Sequence, residues 1–238
     1  MTPEKFAELA SQNYSLIPVT REVIADLETP LSCYLKLAKG AYSYLFESVE
    51  GGEKWGRYSL IGLPSDTILK VSGNQLVVEK NNKIIESKTT RDPLADIENF
   101  QARYQIPDLP NLPRFTGGLV GYFGYDVVRY VEEKLSESTP KDDLGNPDIL
   151  LMVSDEVVVF DNLLGKLIFV VHQRASDTDA WVKSQSKLDE LECKLKESVP
   201  DLPPLNSSSE RRNESNFISS FGKDNFLAAV KKIKNYVL

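Results

Sequence analysis

This chain is poor in the residues that most often carry metal or covalent chemistry. Its 238 residues include one histidine, His172, and only two cysteines, Cys33 and Cys193. One imidazole and two distant thiols cannot assemble a nitrogen and sulfur metal site. The cysteines fall in separate predicted helices and read as reduced, partly buried thiols rather than a disulfide. No apolar run approaches the roughly 20 residues of a membrane-spanning helix. The opening MTPEKFAELASQ has no basic segment followed by an apolar one, so a secretory leader is not indicated and a cytoplasmic location is expected. Clustered positive charge is also scarce: the net charge is −7 and the one basic run is KKIK near the end. Nucleic acid and anionic membranes are therefore disfavoured as partners, because phosphate contacts need grouped Lys and Arg.

What the chain does have is the balance of a globular protein, with 41% hydrophobic and 26% charged residues. Residues 13–23 read as a strand. Residues 29–40 read as a helix with Thr29 as N-cap, Pro30 in its first turn and Gly40 as its stop. Two further strands, 42–49 and 57–63, flank a charged, glycine-broken turn. A meander follows over 68–71, 75–79 and 83–86, its turns marked by Ser72-Gly73-Asn74 and Asn81-Asn82. Asp92 and Pro93 open another helix, 92–104, whose Leu94, Ile97 and Phe100 recur at helical spacing. The long apolar stretch ILLMVSDEVVVFDNLLGKLIFVVH, broken at 161–166, predicts two buried strands joined by a hairpin. Residues 177–199 form an amphipathic helix with Trp181, Leu188, Leu191 and Leu195 on one stripe.

Composition then shifts. Residues 199–216, rich in Pro, Ser and charge, have no apolar period and read as a linker. Beyond it, residues 217–238 contain a helix with Phe226, Val230, Ile233 and Val237 on one face. Those residues are too few to build a core of their own, so the sequence is expected to be a piece of a longer protein.

Local motifs give no complete active site. In GGLVGYFGYD the glycines Gly118, Gly121 and Gly124 are spaced three and three, which is not the dinucleotide pattern. They read instead as places where a strand packs closely against another backbone. His172 ends a buried strand and reads as a satisfied structural residue. The acidic pairs Asp142-Asp143 and Asp155-Glu156 read as solvated turns.

Four blocks of the chain resemble a known family in its order: LFESVEGGEKWGRYSLIG (45–62), FTGGLVGYFGYDVVRYVE (115–132), PDILLMVSDEVVVFDNLLGKLIFVVH (147–172) and SNFISSFGKDNFLAAVKKIKNYVL (215–238). Together they are similar to the N-terminal part of anthranilate synthase component I, a chorismate-using enzyme of tryptophan synthesis. The resemblance implies an α+β fold of stacked antiparallel sheets flanked by helices. Residues 1–198 would be the regulatory domain, 199–216 a flexible linker and 217–238 the first helix of the catalytic domain.

It further implies that the first block forms part of an allosteric pocket for L-tryptophan, in which Glu47, Ser48 and Ser59 contact the inhibitor. The chemistry suits a free amino acid: a carboxylate pairs with the ammonium, while hydroxyls and strand-end amides bind the carboxylate. The roles of Lys54 and Arg57 stay open. Chorismate, Mg²⁺ and the catalytic residues would belong to a C-terminal segment beyond Leu238, as would the other wall of the tryptophan pocket. The partner implied is a glutamine amidotransferase subunit. On this reading the chain holds half a regulatory site, no catalytic residue and no bound cofactor. Two alternatives remain: the aminodeoxychorismate synthase component of folate synthesis, and a non-catalytic amino-acid-binding module. An Asp-Ser pair and a shorter turn are frequent in the folate-pathway relative, which FESVEGGEKWGRYS does not match.

Overall fold

A computed structural model describes residues 1–47, 56–110, 112–135, 142, 144–200 and 218–237. The chain divides into two compact units, residues 1–200 and 201–238.

Local sequence signals set the helices. α1 (Pro3–Ala10) is capped by Thr2, α2 (Pro30–Leu37) by Thr29 and α3 (Pro93–Gln101) by Asp92, each with proline in the first turn. At α2 the cap is reciprocal: the Ser32 amide donates to Thr29 Oγ1 (3.0 Å) and the Thr29 amide to Ser32 Oγ (2.9 Å). Two orphan amides are thus satisfied without water. The short α4 (Val128–Val131), the long α5 (Ala180–Leu195) and α6 (Lys223–Val237) complete the set, with α6 in the second unit.

Ten strands form two antiparallel sheets. The first runs β1 (Leu16–Ile24), β10 (Lys166–Arg174), β9 (Glu156–Asp161), β3 (Tyr58–Gly62), β2 (Tyr44–Phe46). The second runs β6 (Lys83–Thr89), β5 (Gln75–Lys80), β4 (Thr67–Ser72), β8 (Ile149–Ser154), β7 (Gly118–Phe123). The architecture is α+β, two antiparallel sheets flanked by helices. One face of the first sheet, with Ile17, Val19, Ile61, Val158 and Phe169, is buried under Phe6, Cys33, Leu188 and Leu191 from α1, α2 and α5. One face of the second, with Leu69, Val71, Val78 and Leu151, is covered by Ile97 and Phe100 of α3. Tyr44 and Leu60 from the first sheet also pack on Ile68, Val120 and Met152 of the second.

Three expectations change. The apolar stretch 149–172 holds three strands, because β8 and β9 are one continuous run that leaves the second sheet at Ser154 and enters the first at Glu156. A run that is apolar on both faces has no alternation to betray the switch. Asp155, the residue at the corner, is therefore no solvated turn. Cys193 is exposed, whereas Cys33 is fully buried. The close-packing reading of the glycines holds at Gly121, where an added Cβ would run into the Leu150 carbonyl of the neighbouring strand.

Candidate functional site

The strand ends predicted to hold a ligand lie at one margin of the first sheet. Tyr44, Leu45 and Phe46 pair with Gly62, Ile61 and Leu60. Continued by one residue, this register sets Glu47 opposite Ser59. Glu47 is exposed and Ser59 is fully buried, while Ser48 and Lys54 lie outside the described residues. The Ser59 hydroxyl accepts from Asn162 Nδ2 (3.3 Å). A serine hydroxyl has one proton and two lone pairs, so it keeps capacity for a further bond.

Arg57, whose role the sequence left open, pairs with Asp161. Its Nε lies 3.1 and 3.0 Å from the two carboxylate oxygens and its Nη2 donates to Oδ2 (2.6 Å). Asp161 also accepts the amides of Leu163 and Leu164, both at 3.1 Å. Burial by itself would raise the Asp161 pKa. The Arg57 guanidinium and the two amides outweigh it and hold the carboxyl below its ordinary range. The Asn162 amide donates to the Arg57 carbonyl (2.8 Å), and its side chain to the Gly56 carbonyl (3.3 Å). The segment entering β3 is thus fastened to the β9–β10 turn. Sequence reasoning missed Asp161 and Asn162; the break at 161–166 marked a hairpin but not the pairing of Asp161 with Arg57, 104 residues away. A cavity of about 240 Å³ opens beside this margin, lined by Arg57, Tyr58, Asp161 and Lys166 among others.

Among the described residues no three His, Cys, Asp or Glu side chains converge as metal ligands do. No helix among them is long and apolar enough to cross a membrane.

Fold and strand margin together define an α+β protein with two helix-flanked antiparallel sheets and a polar cluster at one strand end. The chain belongs to the chorismate binding enzyme family, which matches residues 44–238. Anthranilate synthase component 1 of Pseudomonas aeruginosa is 49% identical over the whole chain, covering 48% of the relative. The protein of the same name from Neisseria meningitidis serogroup B is 44% identical over the whole chain, again covering 48% of it. A crystal structure of anthranilate synthase component I from Streptococcus pneumoniae superposes with a TM-score of 0.42 and 25% identity, over 71% of this chain and 36% of that one. The chain spans about half the length of the curated relatives it matches.

Proposed function

We propose that this chain is the N-terminal, tryptophan-sensing part of an anthranilate synthase component I. The single observation that carries the reading is the match over the whole chain, at 44–49% identity, to several proteins of that name. The complete protein would take chorismate, with ammonia supplied by a glutamine amidotransferase subunit, and release anthranilate and pyruvate, with Mg²⁺ held by the half of the relatives that this chain does not span. The chain alone carries out no part of that lyase reaction, and works in the cytoplasm with its catalytic half.

Within this reading Glu47, Ser48 and Ser59 contact L-tryptophan. Two observations support the site. The register sets Glu47 opposite Ser59 at a strand end, and Arg57, Asp161 and Asn162 fix the entry to β3 so that the Ser59 hydroxyl is held in one place. Glu47 is exposed, so an ammonium can reach it from solvent. Inhibition then requires that tryptophan bind one arrangement of the two halves more tightly than another.

The test is a chimera in which residues 1–238 replace the matching half of the Pseudomonas aeruginosa relative, assayed with chorismate and ammonia. Anthranilate should form, tryptophan should suppress it, and Ser48→Phe should remove the suppression. Aminodeoxychorismate as product would overturn the assignment, and micromolar tryptophan binding by residues 1–238 alone would overturn the half-site.

A further inference from the structure

The Asn162 side chain serves two acceptors from one atom. Its Nδ2 lies 3.3 Å from the Gly56 carbonyl oxygen and 3.3 Å from Ser59 Oγ. The oxygen and nitrogen of a carboxamide are told apart by their partners, and a backbone carbonyl can only accept. The nitrogen therefore faces Gly56, and its second proton goes to Ser59. The main chain holds this arrangement: the Asn162 amide donates to the Arg57 carbonyl at 2.8 Å, and the Arg57 guanidinium grips Asp161, the residue before Asn162. Turning the carboxamide over would set oxygen against oxygen at Gly56.

This polarity is passed on to Ser59. One lone pair of its hydroxyl takes the Asn162 proton, and the hydroxyl's own proton has no acceptor among the described residues. Ser59 is fully buried. A buried O–H without an acceptor is costly, which favours a ligand atom that accepts. Across the strand pair the polarity is reversed, because the register sets the Glu47 carboxylate, an acceptor only, opposite Ser59. An acceptor in place of the Asn162 nitrogen would draw the Ser59 proton to itself, and the hydroxyl would then offer a ligand only a lone pair.

We propose that Asn162 is a positioning residue of the tryptophan site: by donating to Ser59 Oγ it turns the hydroxyl proton toward the ligand, and so restricts the site to amino acids with a free α-carboxylate. The inference rests on the reading of Glu47 and Ser59 as tryptophan contacts. To that reading it adds a residue that itself touches no ligand and a demand on the ligand's chemistry. An ammonium presented to the Ser59 hydroxyl would meet a proton, so the zwitterion enters in one orientation, ammonium to Glu47 and carboxylate to Ser59.

The test uses the chimera of this chain with the second half of the Pseudomonas aeruginosa relative, and reads the tryptophan concentration that halves anthranilate formation at one fixed chorismate concentration. L-Tryptophanamide keeps the indole and the ammonium but not the carboxylate, and at least about tenfold more of it should be needed. Ser59→Ala should raise the half-inhibiting tryptophan concentration about tenfold or more, and Asn162→Ala about threefold to tenfold. The double variant should be no worse than Ser59→Ala alone, because Asn162 acts through that hydroxyl. A residue that only braced Gly56 would weaken inhibition by the same factor with or without the Ser59 hydroxyl. Multiplying effects in the double variant, or equal inhibition by tryptophan and its amide, would overturn the inference and leave the tryptophan reading in place. No inhibition of the unmodified chimera by tryptophan would overturn that reading and the inference with it. The comparison of tryptophan with its amide needs no variant, so it decides even if Asn162→Ala fails to fold.

Discussion

Two aspartates bound β9, Asp155 just before it and Asp161 as its last residue, and their surroundings differ sharply. Asp161 closes the strand with Arg57 and two backbone amides gathered round it. Asp155, just before the strand, makes no ion pair among the described residues, and burial with the neighbouring Glu156 outweighs its own backbone amide and the weaker pull of Lys80. Residue type is the same, so the difference lies in the donors supplied by other segments. The Asp161 end holds a strand entry in place, whereas the Asp155 end carries a carboxyl that burial disfavours in its charged form.

The largest expected effect is at Asp155. The Asp155 pKa is raised above its unfolded value, so between about pH 4 and pH 6 the folded chain binds more protons than the unfolded one, and stability falls as pH rises through that window. Asp155→Asn removes this penalty and should stabilise the chain at pH 7 by up to about 3 kcal/mol, with the gain gone below about pH 4. Denaturant melts at pH 7 and pH 4 would show it.

Asp161→Ala should act in the opposite sense. It leaves Arg57 and the Leu163 and Leu164 amides without their acceptor, a loss of about 2 kcal/mol once the solvent exposure of Arg57 is allowed for. Because the Asp161 pKa is lowered in the fold, its contribution is complete above about pH 4 and is lost as pH falls below the ordinary carboxylate range. The pH dependence of unfolding should therefore change on the acid side only. Arg57→Lys keeps the charge but not the fork, and a loss of about 1 kcal/mol is expected by the same melts. Thr29→Ala, remote from both aspartates, should cost about 1 kcal/mol through its cap and leave the pH profile unchanged.

Much of the frame was legible because the signals were local. Thr29-Pro30 and Asp92-Pro93 announced helices by chemistry confined to one turn, and Gly73, Asn81 and Asn82 adopt the positive φ that their turns require. The same rule applied to Thr2-Pro3 would have found α1. What stayed hidden depended on distance along the chain. The sheet switch at Asp155 lies inside an apolar run without period, and the pairing of Arg57 with Asp161 joins residues 104 apart. The candidate site was half legible: the family pattern pointed to Glu47, Ser48 and Ser59, but the burial of Ser59 and its bond to Asn162 came only from the fold.

Carboxyl-carbon NMR titration of the two aspartates tests the contrast most directly, with Asp155→Asn and Asp161→Asn providing the assignments. Asp155 should titrate near pH 6 and Asp161 below the ordinary aspartate value. Two ordinary titrations close to pH 4 would contradict the account of oppositely tuned carboxyls at the two ends of β9.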